Sequence, residues 1–229
     1  MDSKFLNARS PMRLLEKGLH GGLGAGNLGL VVAGPGVGKT PFLVGVALDD
    51  LLRGQPVLHV ALDQTVAHTR AYYDTVFDDY AAHARLNDEA VVHANVDRLR
   101  SLRAYPPQGF DAAKLRDAIK RETEAGQTPH VVILEGYDVA GAQAAEIGDL
   151  RSLAKEQELE IWISVTCSTE EIPDLPPEVG HGKDRFDVIL ALEPGSGSVK
   201  LRALKDHDNP DVSNLHVALD PKTLLLTRS

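Results

Sequence analysis

Short apolar runs alternate with amphipathic segments along most of the chain. The apolar runs are residues 28–33, 57–62, 130–135 and 161–166. Each run has the length of a strand and is nearly continuous, which is typical of strands that are covered on both faces. The segments with apolar residues at helical spacing are residues 42–52, 65–85, 111–125 and 146–158. This alternation predicts an α/β fold.

The C-terminal part of the chain has a different pattern. Residues 188–193 and 199–204 are apolar-rich runs joined by a Pro-Gly-Ser-Gly-Ser turn, which predicts an antiparallel hairpin. Two further short runs, residues 215–219 and 224–227, are predicted to be closing strands. We therefore expect antiparallel C-terminal strands to complete the sheet.

Three other stretches have weaker patterns. Residues 1–26 are predicted to be an N-terminal approach segment with a short helix around residues 13–17. Residues 91–104 fit a helix or a strand, and the prolines and glycines of residues 167–185 predict a loop. Because no interdomain linker is visible, residues 1–229 are predicted to form a single domain.

A glycine-rich turn follows the first apolar run and resembles a phosphate-binding loop. The candidate nucleotide-binding residues are Gly34, Pro35, Gly36, Val37, Gly38, Lys39, Thr40 and Pro41. The glycines allow backbone N–H groups to converge on phosphate oxygens, and the next helix directs its positive N-terminus at the same place. Lys39 can reach the outer phosphates and the Thr40 hydroxyl can ligate Mg²⁺. The usual pattern has a glycine at position 33, where this chain has Ala33.

Carboxylates follow two of the predicted strands directly. Glu135 ends the run at residues 131–134, and a strand that ends in an acid is typical of the Mg²⁺-organising element of phosphate-loop proteins. Thr40 and Glu135 are therefore the candidate metal residues, although an acid that merely ends a strand is the alternative. Asp63 follows the run at residues 57–62, where a parallel sheet binds its ligands. Its alternative interpretation is a helix N-cap or a solvated turn residue.

Composition narrows the classes of partner and environment. The chain has 33 acidic residues against 24 lysines and arginines, a net charge of -9, which makes nucleic acid an unlikely partner. Its one cysteine, Cys167, cannot form an internal disulfide, and it is interpreted as a packed thiol. We find no signal peptide and no run near the roughly 18 apolar residues of a membrane span, so a cytoplasmic protein is expected.

The ordered motifs together resemble the RecA-like ATPase core, in its KaiC and DnaB-helicase branch. Besides the phosphate loop they are Gly21-Gly-Leu-Gly, Leu58-His-Val-Ala-Leu-Asp63, Val131-Val-Ile-Leu-Glu135, Ile163-Ser-Val-Thr166 and Leu201-Arg-Ala-Leu-Lys205. The resemblance extends from about residue 14 to the C-terminus, and only the phosphate loop is strongly specific. It implies a RecA-like P-loop NTPase fold with a mostly parallel, twisted sheet flanked by helices. It also implies ATP with Mg²⁺ as ligands, and rings or filaments with nucleotide at subunit boundaries.

The same resemblance implies catalytic roles for two residues and weaker chemistry than is usual in the family. Asp63 stands where the family has a catalytic glutamate, and its shorter side chain would lie farther from the attacking water. Lys205 would act across a subunit interface, but His207 stands where the family has an arginine. An arginine finger contributes on the order of a thousandfold to phosphoryl transfer, so slow turnover is expected.

These observations leave three functional hypotheses. The first is a RecA/KaiC-like protein that binds ATP, hydrolyses it slowly with Mg²⁺, and uses the nucleotide state to control homo-oligomer assembly or a protein partner. The second is a non-catalytic nucleotide-binding scaffold. The third is a small-molecule phosphotransferase with Arg98, Arg100 and Arg103 as a charge-stabilising lid.

Overall fold

The computed structural model describes residues 12–169, 172–210, 212 and 215–228. The helices are α1 (Met12–Gly18), α2 (Lys39–Leu52), α3 (Val66–Ala84), α4 (Glu89–Leu99), α5 (Ala112–Glu124) and α6 (Ala144–Gln157). The strands are β1 (Leu28–Ala33), β2 (Val57–Ala61), β3 (Arg100–Ala104), β4 (Val131–Glu135), β5 (Glu160–Thr166), β6 (Val188–Pro194), β7 (Val199–Asp206), β8 (Val217–Leu219) and β9 (Leu226–Arg228).

The described strands form one nine-stranded sheet in the order β3-β2-β4-β5-β1-β6-β7-β8-β9. Neighbouring strands from β3 to β6 in this order run parallel, and β6 to β9 pair antiparallel. The predictions of an α/β fold, a mostly parallel sheet and antiparallel C-terminal strands are confirmed. Strand β1 lies at the centre, so the loop that follows it opens at the middle of the sheet.

Helices cover both faces of this sheet because side chains of the buried strands alternate between them. In β1, Val31 and Ala33 join a core with residues of α1 to α4. Leu28, Leu30 and Val32 join the opposite core, which contains residues of α5 and α6. Every residue of β1 is buried, which explains why its sequence is a continuous apolar run.

Residues 91–104, whose pattern fits a helix or a strand, contain most of one helix and the whole of one strand. Helix α4 runs to Leu99, and β3 starts at Arg100 and pairs with β2 at the sheet edge. Because β3 is only half-buried, its polar sequence lacks the apolar pattern of a central strand. Among the described residues of the predicted 167–185 loop, the single regular element is a short 3₁₀ turn, Lys183–Arg185. Helix α1 matches the predicted short N-terminal helix, and residues 1–11 lie outside the described residues.

Gly29 is required in β1 by the size of its neighbour on β5. A β-carbon at position 29 would lie 2.6 Å from Cε3 of Trp162, whose ring is buried. We expect Gly29→Ala to lower the free energy of unfolding by about 1–3 kcal/mol, because overpacking forces the ring or the strands apart. Urea unfolding of the purified variant measures this loss.

The matched control for that measurement is Gly148→Ala in α6, where an added β-carbon would meet no atom within 4 Å. Alanine favours a helix over glycine, so this variant should be at least as stable as the wild type. Equal stability of the Gly29→Ala variant and the wild type would contradict the packing argument.

In the portion of the chain described above, no helix combines the length and the apolar character needed to cross a membrane.

Candidate functional site

A cleft of about 380 Å³ opens at the carboxyl edge of the parallel strands. The sequence-predicted residues that line it are Pro35, Gly36, Lys39, Thr40, Asp63 and Glu135. These residues follow or end β1, β2 and β4, whose carboxyl ends share one edge because the strands are parallel. The fold therefore brings together residues that are up to a hundred positions apart in the chain.

The loop between β1 and α2 has the backbone geometry of an anion cradle. Gly36 has φ +71° and Gly38 has φ +119°, conformations that side chains rarely adopt. Gly38 is the N-cap of α2, and no side chain among the described residues caps this helix. The N–H groups of its first turn are thus available to a ligand at the cleft. Pro41 is buried in that first turn and is not among the described residues that line the cleft.

Lys39 lies over the loop at the start of α2. Its ammonium donates hydrogen bonds to the carbonyl oxygens of Gly34 (3.2 Å) and Ala33 (3.4 Å). Burial lowers the pKa of Lys39, and the nearby carboxylate of Glu135 acts in the opposite direction. Lys39 is the one lysine or arginine among the described residues that line the cleft.

Thr40 and Glu135 meet at the floor of the cleft. The Thr40 hydroxyl, in the first turn of α2, donates to Oε1 of Glu135 at 2.8 Å, although β5 separates β1, the strand before α2, from β4, which ends at Glu135. Glu135 is 5% exposed, and its Oε2 lies 3.1 Å from Nε2 of His59. A hydroxyl beside a buried carboxylate provides the hard oxygen ligands that Mg²⁺ prefers.

No group of three His, Cys, Asp or Glu side chains in the described ranges could enclose a metal ion. Mg²⁺ is usually held by one or two protein oxygens together with substrate phosphates and waters. Thr40 and Glu135 therefore have the chemistry to hold Mg²⁺ with a bound nucleotide.

Asp63 is exposed and lies against the turn that follows β4. Gly136 has φ +77°, and a β-carbon there would lie 2.7 Å from Cγ of Asp63. The alternative that Asp63 caps α3 is wrong, since Thr65 is the N-cap and accepts from the backbone N–H of His68. Asp63 and Glu135 are therefore neighbours at the cleft.

Two acids that the motif reasoning missed also line the cleft, Asp138 and Glu178. Glu178 accepts hydrogen bonds from the backbone N–H (2.9 Å) and hydroxyl (3.0 Å) of Ser168, and these bonds lower its pKa. The acidic composition of residues 167–185 is the one sequence signal for it. Together with Asp63 and Glu135 these acids give the cleft a strongly negative field around Lys39.

Cys167 is buried beside this cleft at the end of β5. Burial raises its pKa to about 11, and Glu178 adds to the shift. The thiol therefore stays protonated near neutral pH, which agrees with a packed thiol and not with a nucleophile.

Lys205 lies away from the cleft of its own chain. It pairs with Ile189 near the start of β6. This position lies at the amino ends of the parallel strands, opposite to the carboxyl ends where the phosphate loop lies. Its ammonium donates to the carbonyl oxygens of Phe186 and Lys183. Within one chain Lys205 cannot reach the loop, so a role for it requires a neighbouring subunit.

His207 is also bonded within its own chain. Its Nδ1 lies 2.9 Å from Oδ1 of Asp206, and its Nε2 lies 3.0 Å from the carbonyl oxygen of Leu23. Burial lowers the pKa of His207, but the bonds to Asp206 and to Leu23 outweigh it and raise the pKa above 6.5. Protonated His207 thus fastens the end of β7 to the segment before β1.

The contribution of His207 to stability should depend on pH. Because its pKa is raised on folding, the stabilisation is fully present below pH 6.5 and is lost as the pH rises through the folded pKa. We expect the stability difference between the wild type and His207→Gln to be largest near pH 6 and to shrink toward pH 9. Urea unfolding across this range measures it, with the exposed His216→Gln as control. A difference that grows with pH would contradict the assignment.

The arginines at residues 98–103 do not face the cleft. Arg100 pairs with Asp97, and Arg103 pairs with Glu122. Both lie on β3, the edge strand farthest from β1 on that side of the sheet, and Arg98 is exposed on α4. The geometry gives no support to a charge-stabilising lid over the phosphate loop.

Comparison with models of known protein families found none that matches the chain, and no curated protein is significantly similar to it in sequence.

Proposed function

We propose that this chain is a RecA-like, KaiC-like P-loop protein that binds ATP with Mg²⁺ and hydrolyses it slowly. The observation that carries the proposal is the 2.8 Å hydrogen bond between Thr40 and Glu135 beside the left-handed glycines of the loop. A phosphate cradle, a hydroxyl and a buried carboxylate in one cleft are the parts that a nucleotide with Mg²⁺ requires.

Each residue has a role in this proposal. The loop amides and Lys39 bind the phosphates, while Thr40 and Glu135 hold Mg²⁺. Bound Mg²⁺ supplies charge neutralisation at the phosphate oxygens. Asp63 orients the attacking water and accepts its proton. Since Asp63 is short and exposed, and His207 replaces an arginine, we expect turnover to be slow.

The nucleotide state would control homo-oligomer assembly or a protein partner. Lys205 enters this proposal only at a subunit interface, because within its own chain it lies at the end of the strands opposite to the phosphate loop. If Lys205 keeps its bonds to the carbonyls of Lys183 and Phe186, a non-catalytic nucleotide-binding scaffold becomes the second candidate.

One combined titration tests the proposal. ATP binding, phosphate release and oligomer size are measured for the wild type and for Lys39→Ala, with Mg²⁺ and with EDTA. We expect the wild type to bind ATP at least about tenfold more tightly than Lys39→Ala and to release phosphate slowly above that background. Equal ATP binding by both proteins would overturn the proposal. Tight binding with no phosphate release above background would favour the scaffold.

A further inference from the structure

A buried histidine contacts the carboxylate that is proposed to hold Mg²⁺. His59 is 0% exposed and stands in the otherwise apolar strand β2, next to β4. Its Nε2 lies 3.1 Å from Oε2 of Glu135, and its Nδ1 lies 3.2 Å from the hydroxyl oxygen of Tyr73. Both ring nitrogens therefore have a buried polar partner.

The direction of these hydrogen bonds follows from the chemistry of the partners. An ionised Glu135 can only accept, so Nε2 of His59 must carry the proton and donate it. In the neutral ring Nδ1 is then an acceptor, and the Tyr73 hydroxyl must donate to it. Burial raises the pKa of Tyr73, which keeps that hydroxyl protonated and able to donate.

Tyr73 is itself fixed on its other side. It is 0% exposed on α3, and its ring lies edge-on to the His59 ring at a centroid distance of 5.7 Å. The guanidinium of Arg100 lies over the Tyr73 ring at 4.7 Å from its centroid, and Arg100 is held in turn by Asp97. A continuous contact path thus runs from Arg100 on the edge strand β3 to Glu135.

We propose that His59 is a positioning residue for the metal site. It donates to Oε2 of Glu135 and orients the carboxylate so that Oε1 stays against the Thr40 hydroxyl, where Mg²⁺ would be held. Tyr73 sets the tautomer of His59 that can make this bond. Outer partners that orient metal ligands in this way commonly change metal affinity by about 10–100-fold when removed. The inference rests on the proposed nucleotide function of the same cleft.

The test measures ADP affinity by calorimetry in EDTA and over a series of Mg²⁺ concentrations. We expect His59→Leu to need at least about tenfold more Mg²⁺ for its tightest ADP binding, with an unchanged affinity in EDTA. His59→Gln keeps an N–H donor at similar reach and should recover most of the loss. Tyr73→Phe should show a smaller loss of the same kind.

Val57→Ala is the matched control, because Val57 is buried in the same strand and in the same core as Tyr73 but makes no contact with Glu135 in the proposed path. It should lower stability and leave the Mg²⁺ dependence unchanged. If His59→Leu does not fold, Tyr73→Phe decides the question. A Tyr73→Phe variant that loses the Nε2–H tautomer of His59 and keeps the wild-type Mg²⁺ dependence overturns the proposal, and one that keeps the tautomer overturns the role of Tyr73.

A second readout needs no ligand. Long-range ¹⁵N–¹H NMR of the free protein should show His59 as the Nε2–H tautomer, and Tyr73→Phe should weaken that preference. An Nδ1–H tautomer would overturn the positioning role even if nucleotide binds as proposed. If the wild type binds no nucleotide, the proposed function fails and the inference fails with it. If the wild type binds nucleotide with Mg²⁺ and His59→Leu keeps the wild-type Mg²⁺ dependence, the inference alone fails.

Discussion

Replacing Glu135 with glutamine is expected to shift nucleotide affinity in opposite directions with and without Mg²⁺. Glutamine keeps the shape of the side chain, and its single carbonyl oxygen can accept a hydrogen bond from either Thr40 or His59 but not from both. The negative charge is lost. With Mg²⁺, ADP affinity should fall at least about tenfold, because an amide is a poor substitute for a carboxylate that holds the ion.

In EDTA the same variant should bind ADP more tightly than the wild type. Among the described residues that line the cleft are four carboxylates, those of Asp63, Glu135, Asp138 and Glu178, which repel a nucleotide that lacks its metal. A unit charge at roughly 8 Å contributes on the order of 1 kcal/mol at an effective dielectric constant of about 40, which is close to a fivefold change in affinity. Calorimetric titration under the two conditions measures both changes.

Asp138→Asn is the matched control for the charge argument. Asp138 is exposed in the same cleft, and its Oδ1 accepts from the backbone N–H of Gly141, a bond that asparagine can keep. This variant removes the same charge without touching Thr40, so it should raise affinity in EDTA and keep the benefit of Mg²⁺. If Glu135→Gln behaved like Asp138→Asn in Mg²⁺, the metal role of Glu135 would be wrong.

The second large effect is expected at Gly38, where α2 begins. Its φ of +119° is a conformation that an alanine adopts only with strain, which costs about 1–3 kcal/mol. An added β-carbon would also lie 3.1 Å from Cδ2 of Leu219, the flexible end of a side chain, so the backbone strain is the larger cost. Gly38→Ala should therefore relax the loop, turn the first N–H groups of α2 out of position, and reduce nucleotide affinity at least about tenfold.

Gly45→Ala, about two turns further along α2, separates this effect from the general cost of replacing a glycine. An added β-carbon at position 45 would meet no atom within 4 Å, and alanine favours a helix by up to about 1 kcal/mol over glycine. We expect this variant to be as stable as the wild type or more so, with unchanged ADP binding. Chemical unfolding and calorimetry of both variants are the measurements. Normal ADP affinity in Gly38→Ala would show that the left-handed geometry is not needed.

Local pattern was sufficient for most of the fold. The central strands are buried on both faces, so burial itself makes their sequences apolar, and the caps at Thr65 and Asp111 mark helix starts with side-chain acceptors. Edge strand β3 was not predicted from its pattern, because a half-buried strand need not have an apolar sequence. The closing strands are also shorter than the apolar runs from which they were predicted, since β8 begins at Val217 and β9 at Leu226.

The site was predictable where a residue belongs to the glycine-rich loop or stands at the end of a strand. Lys39 and Thr40 were predicted from the loop motif, and Asp63 and Glu135 from their places at strand ends, because parallel strands deliver their carboxyl ends to one edge. Glu178 lies in a loop whose path no periodicity specifies. His59 looked like a single exception in an apolar run, and its importance depends on a bond to a residue 76 positions later.

The sequence by itself determined the alternation of strands and helices, the left-handed glycine turn after β1 and the acids at strand ends, because each depends on neighbours a few residues apart. Tertiary structure alone decided that β5 separates β1 from β4 while Thr40 still bonds Glu135. It also decided that Lys205 lies at the end of the strands opposite to the phosphate loop, and that His59 contacts the Glu135 carboxylate. These relations depend on strand order and on packing between distant segments, which no local pattern encodes.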